Sequence, residues 1–325
     1  MKIIKVIISK FFNLLLFVFL VGFLASVLSA AWILIPVQRE EPVEKVIEIP
    51  YGYNSTEIRR LLEEEGLIRT HNYIFPIITK YLKIDGRLQS GEYRLSSSQN
   101  LAQIIDQLAK GKVLRYRITI PEGFISRQIA RLLEDRHIVE YDAFMELIQE
   151  DNQFKEGYLF PDTYEFPKNY GAENVLKSMT KNFAEIVYKQ VDPEQKFPAG
   201  LSFTQVVILA SIIEKEAQGA EDKPKIASVF YNRLSEGMLL QSCATVQYLL
   251  DKPQERLTEQ DLAIESPFNT YLYRGLPPEP ICNPGLESIL AAVHPAEEDY
   301  LYFVLGKDGK HIFSKTYQEH LNNKP

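Results

Sequence analysis

"IPYGYNSTEIRRLLEEEGLI" (Ile49–Ile68) and "IPEGFISRQIARLLEDRHIV" (Ile120–Val139) are two copies of one pattern. Ile49 answers to Ile120, and Pro50/Pro121, Gly52/Gly123, Tyr53/Phe124, Ser55/Ser126, Ile58/Ile129, Leu61/Leu132 and Leu62/Leu133 keep the same offset without a gap. Each copy reads as a strand, a Pro-x-Gly turn, a serine N-cap and an amphipathic helix. Ile58, Leu61 and Leu62 at i, i+3, i+4 form the apolar stripe, and Gly66 suits the stop of the first helix. Between the copies, "GEYRLS" (Gly91–Ser96) reads as a strand and "NLAQIIDQLAKG" (Asn100–Gly111) as a helix. Short strands separated by helices, without a doubly wound pattern, make the fold class α+β.

Strand–helix units of this size resemble LysM modules, which hold glycan strands. A plain spacer lifting the next domain off a membrane fits the same residues. The segment in front decides that a membrane is involved. Phe11–Pro36, "FFNLLLFVFLVGFLASVLSAAWILIP", carries no charge, and about 20 apolar residues span a bilayer. Lys2, Lys5 and Lys10 precede it; Arg39, Glu40, Glu41 and Glu44 follow. The positive flank stays in the cytoplasm, so the rest of the chain is expected outside the cell. "SAA" at Ser29–Ala31 looks like a signal-peptide cleavage site, but the apolar stretch is longer than a signal peptide's. The expected layout is a cytoplasmic tail (1–10), a transmembrane anchor (11–36), a linker (37–45), a LysM-like repeat region (46–150) and a catalytic domain (151–325).

Composition narrows the function. The 325 residues carry a net charge of −7 with no Lys/Arg stripe, which excludes duplex nucleic acid as the partner. Two cysteines, Cys243 and Cys282, are too few for a disulfide framework. The five histidines are scattered and no HExxH occurs, so no metal site is expected.

In the C-terminal part, helices are expected over Ala172–Lys189, Ser202–Ala217 and Lys223–Glu236. Ser202-x-x-Gln205 is a capping box, and Gly219 and Gly237 are stops. "YLYFVLGKDGKHIFS" alternates like a hairpin turning at Gly306–Gly309. Ser178-x-x-Lys181 matches the acylation word of penicillin-binding proteins, but neither S-D-N nor K-T-G accompanies it.

Chemistry points to "SFTQVVILASIIEKEA" (Ser202–Ala217), an apolar helix in which Glu214 directly follows Ile212 and Ile213. A carboxylate among aliphatic side chains loses hydration and holds its proton, as a general acid must. Glu214 shares a helix face with Val207 and Ser211. Glu216 lies about 200° further round, so the two cannot act as a facing pair. Downstream, "ESPFNTYLYRGLPPEPICNPG" (Glu265–Gly285) mixes prolines that stiffen the backbone with amides, hydroxyls and rings. Such a mixture suits a sugar, with polar edges and apolar ring faces.

Taken together, "EGYLFPDTYEFP", "LASIIEKEA", "ASVFYNRL", "GMLLQSCATVQY", "SPFNTYLYRGLPPEPICNPG", "AAVHPA" and "YLYFV" resemble the YceG/MltG family of endolytic murein transglycosylases. The resemblance runs from about Val46 to Leu321, behind the same kind of anchor. It implies that the first acid of the EKE word, Glu214, is catalytic, with no metal and no cofactor. One acid would protonate the glycosidic oxygen between N-acetylmuramic acid and N-acetylglucosamine. The resulting carboxylate would then take the proton of the sugar's own C6 hydroxyl, closing a 1,6-anhydro ring. Gln241, Thr245, Asn269, Tyr271 and Asn283 are the expected substrate-binding residues. Two departures stand out: Cys243, where many relatives carry Asp, and Glu279, often Gly. The partners implied are peptidoglycan glycan strands, the membrane and the peptidoglycan synthases of the elongation machinery. The alternative is a non-catalytic, membrane-anchored peptidoglycan-binding scaffold.

Overall fold

The computed structural model describes all residues except Met1, Leu34, Arg39, 70–73, Asp85, 151–153, Asp251, Pro253 and Pro325; for residues 2–9, 29–33 and 74 it describes the backbone alone. The chain forms two compact units, Met1–Arg115 and Tyr116–Pro325.

The first unit opens with helix α1 (Lys2–Ile33). Its stretch Lys10–Leu28 has a mean hydropathy of 2.6 and is long and apolar enough to cross a membrane. Strand β1 (Glu44–Ile49), helices α2 (Ser55–Glu64) and α3 (Ile74–Tyr81), strand β2 (Gly91–Ser96) and helix α4 (Leu101–Ala109) follow. β1 takes in the last two residues of the expected linker. It pairs antiparallel with β2, Glu44 opposite Ser96 and Ile49 opposite Gly91. Ile47, Ile49, Ile58, Leu62, Tyr93, Leu95, Ile104 and Leu108 close one core over this hairpin. These are the alternating strand positions and the helix stripes visible in the sequence.

The second unit contains β3 (Tyr116–Thr119), α5 (Ser126–Glu134), α6 (Tyr141–Glu150), β4 (Thr163–Phe166), α7 (Ala172–Val187), α8 (Phe203–Glu216), α9 (Lys223–Ser235), α10 (Cys243–Leu249), α11 (Glu259–Leu262), α12 (Leu286–Val293), β5 (Tyr302–Leu305), β6 (His311–Ser314) and α13 (Tyr317–Asn323). β5 and β6 form the expected tail hairpin, with Tyr302 opposite Ser314. Helix α8 is the axis of this unit. Val206 through Ile213 are all buried, so it is apolar on every side and packs against both α9 and α12.

The two compact units meet between Arg115 and Tyr116. The second copy of the repeat therefore belongs with the C-terminal residues. Its strand β3 pairs with β4 from the aromatic "FPDTYEFP" stretch, Tyr116 opposite Phe166 and Thr119 opposite Thr163. Its helix stripe, Ile129 and Leu133, shares a core with Phe144, Leu159, Val175 and Met179.

The two copies keep the same turn and change the cap. Gly52 and Gly123 both take a left-handed φ, +85° and +75°, that other residues adopt at a cost. The expected serine caps lie one residue too far along. In the first copy Asn54 caps α2: its Oδ1 accepts from the Thr56 and Glu57 N–H groups at 2.9 and 3.1 Å, and Glu57 accepts from the Asn54 N–H. Asn is as good an N-cap as Ser, and Glu at N3 completes the box. In the second copy the same position is Ile125, which cannot accept. Glu156 takes over from elsewhere in the chain: its carboxylate accepts the Ser126 N–H at 3.0 Å. A local cap has become a tertiary one.

Candidate active site

Helix α8 ends in two acids that face opposite ways, and the structure gives them different work. Glu214 lies on the face shared with Ser211, and α12 and the loop before it cover that face. Ser211 Oγ accepts the Ile281 N–H at 3.0 Å. One turn on, Glu214 Oε2 accepts the Gly285 N–H at 3.0 Å and the Ser288 hydroxyl at 2.6 Å. Gly285 is the N-cap of α12 and Ser288 its third residue, so Glu214 supplies the capping oxygen. A negative charge there also satisfies the helix dipole. Lys223 Nζ stands 3.5 Å from the same oxygen, and the Glu214 side chain is only 10% exposed. It lines neither of the clefts described below. The acid after two isoleucines thus bonds the first turn of α12.

Glu216, about 200° round the helix, faces two adjoining clefts that share Lys215, Glu216 and Cys243. One, ≈ 580 Å³, is lined by Gln241, Tyr271, Arg233, His311 and the rings of Tyr302 and Phe303 among others. The other, ≈ 420 Å³, runs between α5 and α10 past Arg127, Arg131, Gln247 and Tyr248. Glu216 thus sits where the two halves of one groove meet. Its Oε1 accepts from the Ser242 hydroxyl at 2.5 Å, and the Ala244 N–H also bonds the carboxylate. Burial pushes its proton affinity above the ordinary carboxylate range, and those two bonds with the nearby charges of His311 and Arg233 pull the other way. Among the described residues lining both halves, Glu216 is the only carboxylate.

The expected substrate-binding residues divide the same way. Gln241 and Tyr271 line the groove. Gln241 holds a left-handed φ of +49°. Its N–H is tied to the Thr270 carbonyl at 3.1 Å, and the next N–H, of Ser242, to the Thr270 hydroxyl at 3.0 Å. Tyr271 Oη lies 3.0 Å from Cys243 Sγ, and burial raises the pKa of both.

Thr245, Asn269 and Asn283 are fully buried and their hydrogen-bonding groups serve the fold. Thr245 donates to the Ser242 carbonyl at 2.8 Å. Asn269 Nδ2 donates to the Leu262 and Ile264 carbonyls, and its Oδ1 accepts the Tyr271 N–H. Asn283 Oδ1 accepts the Gly157 and Leu159 N–H groups, both at 2.9 Å, while Nδ2 donates to Phe124 O and Glu156 Oε1. These amides stiffen the proline-rich loop from inside, so the residue types that suit a sugar are spent on the backbone.

Sequence reasoning passed over Glu216, His311 and Arg127. No local signal marks them: Glu216 follows a lysine at the helix end, and what faces it comes from α10 and the tail hairpin. Cys243 is exposed in the groove, and Cys282 is buried with its thiol donating to the Ser211 carbonyl. No cluster of metal-ligating side chains occurs among the described residues.

Fold and site define a class: an α+β protein with a carboxylate, Glu216, where two clefts adjoin, behind a helix apolar enough to cross a bilayer. The chain belongs to the YceG-like family, which matches residues 47–325. It is 34% identical to the endolytic murein transglycosylase of Bacillus subtilis, over 88% of this chain and 85% of that protein. It is 28% identical to the endolytic murein transglycosylase of Streptococcus pneumoniae, over 89% of this chain and 59% of that longer protein. A crystal structure of a yceG-like protein from Listeria monocytogenes, 34% identical, superposes with a TM-score of 0.55, covering 87% of this chain and all of that one.

Proposed function

We propose that this protein is an endolytic peptidoglycan lytic transglycosylase, a lyase that cuts the MurNAc–GlcNAc bond of glycan strands, and that Glu216 is its acid and base. The observation that carries the reading is Glu216, the only carboxylate among the described residues lining the two clefts that meet at it. Hydrolytic glycosidases need two carboxyl groups, one to protonate the leaving oxygen and one to activate water or attack the sugar. Intramolecular closure needs one. Glu216, whose burial raises its proton affinity above the ordinary carboxylate range, gives its proton to the glycosidic oxygen as the C1–O bond breaks. The carboxylate left behind accepts the C6 hydroxyl proton while O6 bonds to C1. The product is a 1,6-anhydro-MurNAc end, and Glu216 is protonated again.

The attacking hydroxyl arrives with the substrate, so proximity is built in. The Ser242 hydroxyl and Ala244 N–H fix the carboxylate and stabilise its charged stage. A site where two half-grooves meet accommodates sugar on both sides of the scissile bond, as cutting inside a strand requires. Glu214 orients α12 and takes no part in proton transfer.

The apolar helix α1 serves as the single-pass membrane anchor, with the N-terminus inside and the chain after α1 outside. The first unit holds glycan in the manner of a LysM module, and cutting beside the synthases limits the length of new strands. Digestion of uncrosslinked glycan followed by mass spectrometry tests the reading. Anhydro ends are lighter than reducing ends by one water; reducing ends would mean a hydrolase, and binding without cleavage a scaffold.

A further inference from the structure

Cations line the clefts on both sides of Glu216. In a protein of net charge −7, the half between α5 and α10 is lined by Arg127, Arg131, Lys215 and Lys252, with Glu216 the only acid among the described lining residues. Arg127 and Arg131 are one helical turn apart on α5 and so share a face. Arg127 is fixed: its Nη2 donates to the Tyr248 and Leu250 carbonyls, both at 3.0 Å, and its guanidinium lies over the Tyr248 ring. Those bonds use one nitrogen of a group that offers five N–H donors. Arg131, Lys215 and Lys252 are exposed. The other half carries cations too, Arg233 and Lys324 beside the shared Lys215, and adds the rings of Tyr271, Tyr302, Phe303 and Tyr317.

The sugar backbone of peptidoglycan is uncharged. Its anions are the carboxylates of the peptide stem, attached through the lactyl group of each MurNAc and therefore next to the bond that breaks. Planar guanidinium and flexible ammonium groups beside the acid match such carboxylates. We infer that the half-groove of Arg127, Arg131, Lys215 and Lys252 binds the carboxylates of the peptide stem, so that strands carrying stems are preferred over stripped ones. This rests on the transglycosylase reading and adds the part of the substrate that the cations recognise.

The test compares two substrates: uncrosslinked strands with intact stems, and the same strands after an amidase has removed the stems, both free of lipid. For the Arg131→Ala/Lys252→Ala double variant, kcat/KM on stem-bearing strands should fall about fivefold to tenfold further than on stripped strands, with the loss in KM and most pronounced at low salt. Equal losses on both substrates, or none on either, would overturn the assignment. A loss seen only on a third substrate, strands that keep a lipid diphosphate end, would assign the cations to that anion instead and overturn it as well. Binding of both strands is measured in parallel on a Glu216→Gln background, with and without the double substitution. That arm reads stem recognition even where nothing is cut, so failure of the cationic half-groove and failure of the transglycosylase reading give separate results.

Discussion

The assignment of acid and cap is tested by replacing each glutamate of the EKE word with glutamine. The substitution keeps the shape and removes the proton chemistry. Glu216→Gln takes away the only carboxylate among the described residues lining the two clefts, and losing general acid–base catalysis costs about 10²–10⁴ in rate. Stability should change little, because burial already keeps Glu216 in its uncharged form more than usual and the amide can still accept from Ser242. Glu214→Gln should do the reverse. It weakens two hydrogen bonds to the start of α12, from Gly285 and Ser288. It also leaves Lys223, 8% exposed, with only the longer contacts to Glu122 and Glu287 at 3.9 and 3.8 Å. Charge-assisted bonds of this kind are each worth about 1.5–3 kcal/mol. In a unit of this size that lowers Tm by about 3–12 °C. The assay pairs thermal melts with anhydro-end release at a temperature where both variants are folded. A folded, inactive Glu214→Gln beside an active Glu216→Gln would refute the reasoning and return the chemistry to Glu214.

Three further outcomes follow from the same contacts. Glu156 is buried, and its pKa is pushed up to about 7 by desolvation, which the bonds from Ser126 and Asn283 only partly offset. Between the ordinary carboxylate range and about 7 the folded chain binds a proton that the unfolded chain has released, so this contribution to stability is present in acid and lost as pH rises through that window. Denaturant midpoints across the window should fall for the unaltered protein and flatten for Glu156→Gln. Asn283→Ala strands the Gly157 and Leu159 N–H groups and should cost about 3 kcal/mol or more in chemical unfolding; a variant that keeps its stability and loses only affinity would make Asn283 a sugar ligand after all. Gly157→Ala places a Cβ 2.5 Å from Pro280 at a φ of +88° and should cost about 1–3 kcal/mol on the same assay.

Much of the fold was legible in the residues. The paired strand–turn–helix copies, the Ser202 capping box, the Gly91–Ser96 strand and the tail hairpin form where the pattern places them, with helix ends shifted by one or two positions. Each depends on residues within a turn or two of one another: an apolar stripe, a capping oxygen, a glycine that accepts a positive φ. The apolar N-terminal helix is likewise a property of composition, as is the resemblance that led to the YceG-like family.

What lay beyond the sequence depends on which surface covers which. The second copy of the repeat reads like the first, yet Ile125 cannot cap α5, and the carboxylate that does so arrives from Glu156, thirty residues on. Asn269 and Asn283 have the chemistry of sugar ligands, and only the packing of the proline-rich loop shows their hydrogen bonds spent on backbone. The two acids of α8 are two residues apart and chemically identical. The helix turns them about 200° from each other, and the sequence does not say which side α12 will cover. Tertiary packing set one against the start of α12 and the other beside the two clefts, and a carboxylate's chemistry follows the donors and the solvent it faces.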